Sequence, residues 1–156
     1  MPRAPFQVLV FPFMKTGTGF RFAVLRRNSA TGGYWQGIAG GGEEGERPEE
    51  AARREAAEEA GIPLNAALAR LDTMTMIPVI NVCGFRWGND VPVIPEYAFG
   101  VEVQSESLML SGEHAEYIWG DIDAVMSLVK WDSNRTALWE LNYRLVNDMC
   151  REVSGI

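Results

Sequence analysis

Apolar residues alternate or cluster along the chain in short runs that are typical of β-strands. Residues 6–13 and 20–25 are rich in Val, Phe and Leu, and the turn-forming sequence 16–19 separates them, which predicts a hairpin. Further strands are predicted at 71–83, 96–103 and 117–119, where β-branched and aromatic residues are enriched. The glycine-rich stretch 31–45 is interpreted as a flexible loop.

Three helices are predicted among these strands. Pro48 suits the first position of a helix that runs to residue 60, and Gly61 and Pro63 are stop signals. Apolar residues at a spacing close to 3.6 predict two more helices at 121–129 and 133–149, with Asp132 or Ser133 capping the last. Strands mixed with early and late helices predict an α/β or α+β layer fold, built as one domain over residues 1–156.

The charge balance excludes several classes of protein. With 14 Lys+Arg against 21 Asp+Glu and a net charge of −7, a general nucleic-acid binder is disfavoured. Cys83 and Cys150 are far apart, so neither a disulfide framework nor a zinc site is expected. The apolar stretch 4–14 is too short for a membrane span and lacks a cleavage site. We therefore expect a cytoplasmic protein with no membrane partner.

The first predicted helix is strongly acidic along one face. Glu55, Glu58 and Glu59 stand at i, i+3 and i+4, so their carboxylates project from the same side. A solvated charged face is the alternative interpretation. However, Arg47, Arg53 and Arg54 cannot neutralise all eight Glu of residues 43–59, and a divalent cation would supply the missing charge. Oxygen ligands favour Mg²⁺, or Mn²⁺, with substrate phosphates completing the coordination shell.

Residues 40–62 match the Nudix box, G-x5-E-x7-R-E-U-x-E-E-x-G-U with U an aliphatic residue. The matching residues are Gly40, Glu46, Arg54, Glu55, Ala56, Glu58, Glu59, Gly61 and Ile62. So many identities at fixed spacing are a specific signal, and the chain resembles the Nudix hydrolases. That resemblance implies an α/β/α sandwich around a mixed β-sheet and an enzyme that cleaves a nucleoside diphosphate linked to another moiety.

The same resemblance implies roles for individual residues. Glu55, Glu58 and Glu59 would coordinate the ion, with the backbone carbonyl of Ala39 or Gly40 as a further ligand. Arg54 would orient Glu55, while Glu46 would brace the loop and Gly61 would end the helix. Glu113 would act as the base for the attacking water, with Glu116 or Glu55 as alternatives, and the single histidine, His114, is expected to be structural.

Short matches outside the box resemble bacterial dihydroneopterin triphosphate pyrophosphohydrolases, which implies a nucleoside or pterin triphosphate as substrate. They are residues 34–36, residues 113–119 and residues 133–137. The residues proposed to contact the phosphates or to stack on the ring are Arg26, Arg27, Arg135, Trp35, Phe20 and Tyr97.

Two other functions stay open. Pro78 favours ADP-ribose or another nucleoside diphosphate sugar, because relatives with that activity carry a proline near this place. A non-catalytic sensing module is the third possibility. The partner is expected to be a small molecule, and the protein a monomer or a homodimer.

Overall fold

The computed structural model describes residues 2–153, which form eight strands and three helices. In chain order they are β1 (Arg3–Thr16), β2 (Gly19–Arg27), β3 (Trp35–Gln36), β4 (Ile38–Glu43), α1 (Pro48–Ala60), β5 (Leu68–Pro78), β6 (Val93–Glu102), β7 (His114–Gly120), α2 (Ile122–Leu128), α3 (Asp132–Val146) and β8 (Arg151–Val153). Within these residues no helix is long and apolar enough to cross a membrane.

All eight strands belong to one mixed sheet. Its main path runs in the order β3-β2-β1-β6-β5-β8, while β4 pairs with β1 and β7 pairs with β2. The pairing of β1 with β6 is parallel and the other named pairs are antiparallel. One edge of β1 is shared, because β4 occupies it at residues 7–10 and β2 occupies it at residues 13–16.

Helices cover both faces of this sheet. The face toward α1 buries Val8, Val10 and Phe99 against the small side chains of Ala52 and Ala56. The opposite face buries alternate residues of the same strands, among them Leu9 and Phe11, against α2 and α3. We call these the α1 face and the α3 face. The predicted α/β sandwich around a mixed sheet is confirmed.

Most predicted elements are present with shifted ends. Helix α1 begins at Pro48 and ends before Gly61, as predicted, and Gly61 adopts a left-handed conformation with φ 68°. The predicted capping of α3 is wrong, because its N-cap is Trp131 and makes no side-chain bond. Strand β5 stops at Pro78, before a 3-10 turn, and strand β8 was not predicted.

The largest difference concerns the glycine-rich stretch 31–45, which is not simply a flexible loop. It contains β3 and β4, and β4 is hydrogen-bonded along β1. Glycine gives no strand signal in a sequence, yet consecutive glycines here let side chains from elsewhere approach the backbone.

Candidate active site

Helix α1 packs against the sheet through its alanine side chains. Pro48 occupies the first helical position, and the Glu50 carboxylate accepts a hydrogen bond from the Arg47 backbone N–H at 2.8 Å. Ala52, Ala56 and Ala60 are at most 1% exposed, and their small side chains let the helix lie close to the sheet. The neighbouring positions of the helix carry Glu55 and Glu59, which are themselves buried.

Arg54 links α1 to the strand β4 region through almost all of its donors. Its Nε and Nη2 donate to the two carboxylate oxygens of Glu46 at 2.8 and 3.0 Å, and Nη2 also donates to the carbonyl of Gly41 at 2.9 Å. Its Nη1 donates to Glu55 at 3.0 Å and to Glu58 at 3.2 Å. Burial alone would raise the pKa of Glu46, but its hydrogen bonds to Arg54 and to the Glu43 backbone outweigh this and lower it.

Glu55 is the most constrained carboxylate of the box. Its side chain is 11% exposed and lies against Gly40, where any Cβ would collide with the carboxyl group. Burial raises the pKa of Glu55 to about 7, although the neighbouring Arg54 guanidinium lowers it in part. A bound cation would stabilise the charged form of this carboxyl group further.

Glu59 is anchored by the segment that precedes β7. Its Oε2 accepts a hydrogen bond from Ser111 Oγ at 2.5 Å, and His114 Nδ1 lies 3.2 Å from the same oxygen without the alignment of a good hydrogen bond. The imidazole is fully buried, and burial lowers its pKa despite the attraction of Glu59. His114 therefore packs beside a box carboxylate. Ser111 has no signal in the sequence that would single it out.

The donor set suits a hard divalent ion. Carboxylates of Glu55, Glu58 and Glu59 and the nearby carbonyl groups of β4 offer oxygen only, which is what Mg²⁺ and Mn²⁺ prefer. Within residues 2–153 no three acidic, histidine or cysteine side chains are close enough to form a ready metal-binding group. The reason is visible in the contacts, because Arg54 holds Glu55 and Glu58 while Ser111 holds Glu59. An ion would have to compete with these hydrogen bonds.

A cleft of about 810 Å³ opens beside these carboxylates. Its near end is lined by Ala39, Gly40 and the three box glutamates, and by Arg27 and Glu113. Arg27 Nε is buried there and has no hydrogen-bond partner among residues 2–153. The cleft continues along the α3 face to the 3-10 turn after β5 and to the start of α3.

The other residues proposed to contact substrate lie elsewhere. Arg26 donates from Nε to Glu116 at 2.7 Å in a surface pair, which accounts for both residues. Arg135 donates to the Asp132 carboxylate at 2.7 Å and to the carbonyl of Val129 at 2.5 Å. Trp35 packs into the core of the α3 face. Phe20 joins that same core, and Tyr97 packs against the core of the α1 face beside Phe6.

The cleft also contains polar residues that the sequence did not indicate. Its floor on the α3 face carries Gln7, Thr75 and Glu96, and the start of α3 adds Asn134. Tyr34 and Trp131 form an aromatic wall, with ring centroids 5.5 Å apart in an edge-on arrangement. Only the positions around Tyr34 and Asn134 lay in segments that had been singled out, and an isolated Glu or Gln in a strand carries no pattern.

Known proteins resemble this chain over most of its length. The model of the NUDIX domain matches residues 5–140. Dihydroneopterin triphosphate diphosphatase of Escherichia coli K12 is 32% identical over 108 residues, which are 67% of this chain and 72% of that protein. A Listeria monocytogenes structure described as that of a Nudix hydrolase has a TM-score of 0.86 and 39% identity, and covers 96% of this chain and 100% of that one.

Octanoyltransferase of Myxococcus xanthus is 30% identical over 122 residues. These are 76% of this chain but only 31% of that protein, so the chain spans about a third of that relative's length. The family match and the structural likeness agree with the box. The chain belongs to the Nudix hydrolase family.

Proposed function

We propose that this chain is a Mg²⁺-dependent or Mn²⁺-dependent pyrophosphohydrolase that acts on a nucleoside or pterin triphosphate and releases pyrophosphate. The observation that carries the proposal is the set of residues that line the cleft of about 810 Å³. Box carboxylates and Arg27 lie at one end, and buried polar side chains line the other. A triphosphate joined to a flat, polar ring has this same distribution of chemistry.

The residues at the near end divide the work. Glu55, Glu58 and Glu59, with the carbonyl of Ala39 or Gly40, would hold the ion, and Arg54 would keep Glu55 in place through the 3.0 Å hydrogen bond. The ion would neutralise charge on the phosphates and lower the pKa of the attacking water. The Arg27 guanidinium would hold a phosphate oxygen, because cationic donors bind phosphate well and its Nε is unpartnered among the described residues.

The reaction itself is a hydrolysis. The oxygen of a water molecule forms a bond to phosphorus, the phosphoanhydride bond breaks, and pyrophosphate leaves with the electron pair of that bond. Glu113 would accept the proton of the water, since it is exposed and lines the cleft near Arg27. Glu116 is a weaker candidate because its carboxylate is paired with Arg26.

One comparison supports the substrate class. The Escherichia coli relative is named a dihydroneopterin triphosphate diphosphatase, and it shares 32% identity over 108 residues with this chain. The alternative, a nucleoside diphosphate sugar such as ADP-ribose, rests on Pro78, which lines the far part of the cleft. A cytoplasmic location and a small-molecule partner belong to the same proposal.

Product analysis tests the proposal. The purified chain is incubated with Mg²⁺, Mn²⁺ or EDTA and a panel of deoxynucleoside triphosphates, dihydroneopterin triphosphate and ADP-ribose. We expect metal-dependent release of pyrophosphate and a monophosphate from a triphosphate. Cleavage of ADP-ribose alone into AMP and a sugar phosphate would replace the proposal by the alternative. Absence of metal-dependent turnover on the whole panel would favour a sensing module.

A further inference from the structure

Glu96 is a buried carboxyl group on the α3-face floor of the cleft. It lies in β6, directly across from Gln7 of β1 and Thr75 of β5, and it is 6% exposed. The residues two positions before and after it, Ile94 and Ala98, point to the same face and are core residues. A strand at this place in the sheet would normally carry an apolar side chain here.

A short relay of hydrogen bonds fixes the group that faces Glu96. Arg3 donates from Nη2 to Gln7 Oε1 at 2.8 Å, so the other end of the amide, Nε2, is the one that donates to Glu96 Oε2 at 3.2 Å. Arginine has donors only, which leaves no choice in the orientation of the amide. Gln7 is therefore the donor and Glu96 the acceptor of this hydrogen bond.

The surroundings of Glu96 do not balance its charge. Within residues 2–153 no Lys, Arg or His forms an ion pair with it. Burial raises the pKa of Glu96, and the single hydrogen bond from Gln7 offsets this only in part. Burying a carboxylate that has one neutral donor costs free energy of folding, and an apolar side chain would pack in the same place without that cost. Such a cost is expected where a ligand brings the missing donors.

Glu96 is also at a suitable place along the cleft. Gly41 of β4, Gln7 of β1 and Glu96 of β6 form one row across three neighbouring strands. Two strand spacings separate the ends of that row by about 10 Å. Gly40, the next residue, lies against Glu55 of the α1 face. A ligand whose phosphates lie beside β4 would therefore bring its ring toward Glu96.

The chemistry of a carboxylate selects among possible rings. Two carboxylate oxygens accept two parallel hydrogen bonds, so the best partner is an edge with two adjacent donors. Guanine and pterin have this edge, formed by a ring N–H and the neighbouring 2-amino group. Adenine and cytosine place an acceptor nitrogen beside the amino group, and uracil and thymine place carbonyl oxygens on both sides of their N–H, so both arrangements oppose a carboxylate.

We propose that Glu96, positioned by Gln7 and Arg3, is the ring-recognition residue of the cleft and selects a 2-amino-4-oxo ring, the edge that guanine and pterin share. The inference rests on the proposed function for the placement of the phosphates. Beyond the proposed function, the inference specifies the class of ring in the substrate and names Glu96 as the residue that binds it.

Binding of ring compounds without hydrolysis tests this directly. Isothermal titration calorimetry of the full chain in EDTA measures the dissociation constants of four probes. They are guanosine, inosine and adenosine 5′-monophosphates and neopterin. Inosine differs from guanosine only by the 2-amino group. We expect the guanosine compound to bind about ten- to a hundredfold more tightly than the inosine compound, since one hydrogen bond to a charged group is lost. Tighter binding of neopterin or of the guanosine compound identifies which ring is preferred, and both support the proposal.

Two variants complete the test. Glu96→Gln keeps the shape but presents a donor and an acceptor, so we expect it to lose the preference for guanosine over inosine and to bind the adenosine compound at least as well as the wild type does. Glu102→Gln removes the same charge from the other end of β6 and should bind like the wild type. Equal binding of guanosine and inosine compounds by the wild type, or no binding of any probe, would overturn the proposal without depending on how the variants fold.

Turnover separates this proposal from the proposed function. If GTP, ITP and ATP are hydrolysed with equal kcat/KM and the monophosphates bind equally, the function stands and ring selection by Glu96 is wrong. If the binding preference is present but no triphosphate is hydrolysed with Mg²⁺, ring recognition stands and the proposed reaction is wrong.

Discussion

The two faces of the sheet beside β4 hold buried carboxyl groups in opposite ways. On the α1 face, Glu55 is buried and has the Arg54 guanidinium at 3.0 Å. On the α3 face, Glu96 is equally buried and has the neutral amide of Gln7 at 3.2 Å. Burial raises the pKa of both groups. Only one of them has a cation within the described part of the chain.

This difference suits the two carboxyl groups to different roles. A carboxylate that an arginine holds by a hydrogen bond stays in position whether or not a ligand is present, which suits a group that assembles catalytic machinery. A carboxylate without a cation gains most when a ligand donates to it, which suits a group that chooses among ligands. Substitutions on each face test whether the two carboxyl groups differ in this way.

The largest effect is expected on the α1 face from Glu59→Gln. Loss of one proposed ion ligand should lower kcat by about 10²- to 10³-fold, because charge on the reacting phosphate is no longer neutralised. Steady-state kinetics with Mg²⁺ measures this, and circular dichroism checks the fold. Glu44→Gln, an exposed position just before the same helix, is the matched control and should keep full turnover. Unchanged turnover in Glu59→Gln would remove Glu59 from the ion site.

The contribution of Glu55 to the stability of the metal-free protein should fall as pH rises from about 5 to about 7. Glu55 has a folded-state pKa of about 7 against an ordinary value of 4.5, so in this window the folded chain binds a proton that the unfolded chain has released. The contribution is present at low pH and is lost above the folded-state pKa, and it amounts to about 3 kcal/mol.

Urea denaturation in EDTA at several pH values measures this effect. Glu55→Gln should remove the fall that this group causes, while the contributions of Glu96 and of His114, whose lowered pKa acts in the opposite direction, are retained in both proteins. Mg²⁺ added at pH 7.5 should stabilise the wild type more than Glu55→Gln, because it favours the charged carboxylate. Identical profiles for the two proteins would contradict the burial argument for Glu55.

Arg54→Lys tests whether the arginine of the α1 face works through its shape. Lysine keeps the charge but cannot donate simultaneously to Glu46, Gly41 and Glu55 in the same plane. We expect the free energy of unfolding to fall by about 2 kcal/mol. Arg47→Lys changes an exposed arginine at the start of α1 and should cost little. A loss of similar size in both variants would mean that the planar network contributes nothing special.

The smallest expected effect is on the α3 face. Glu96→Gln should leave the free energy of unfolding at pH 7.5 unchanged or raise it by up to about 1 kcal/mol, because it removes a buried group that lacks a cation. Chemical denaturation without ligand is the measurement. A substantial loss of stability would show that Glu96 is part of the structural core, and the contrast between the two faces would disappear.

The sequence predicted the α1 face far better than the α3 face. Pro48, Gly61 and the spacing of the glutamates predict helix α1 and its ends. In a helix, the spacing of residues also determines which side chains share a face. Glu96 and Gln7 are 89 residues apart, and they meet only because β1 and β6 are parallel neighbours. No local pattern reports such a pairing, so the pair of Glu96 and Gln7 could not be predicted.

The arginines predicted to contact substrate phosphates agree least with the structure. Arg26 and Arg135 were selected because guanidinium groups bind phosphate, but each is engaged by nearby protein groups, namely Glu116 and the end of α2. Arg27, adjacent to Arg26 in the chain, points into the cleft instead. Neighbouring residues of a strand face opposite sides, and the sequence alone does not say which side carries the site.

The three consecutive glycines of β4 limit how this protein can change over generations. A Cβ at Gly40 would collide with Glu55, one at Gly41 with Arg3, and one at Gly42 with Phe6. Every possible replacement is larger than glycine, so a substitution at any of the three positions obliges the facing side chain to move. At Gly40 the side chain that must give way is a proposed ion ligand, and at Gly41 it is the arginine that begins the relay to Glu96. A lineage that loses either glycine would therefore displace Glu55 or Arg3, the two residues on which the proposed activity and the proposed ring preference depend.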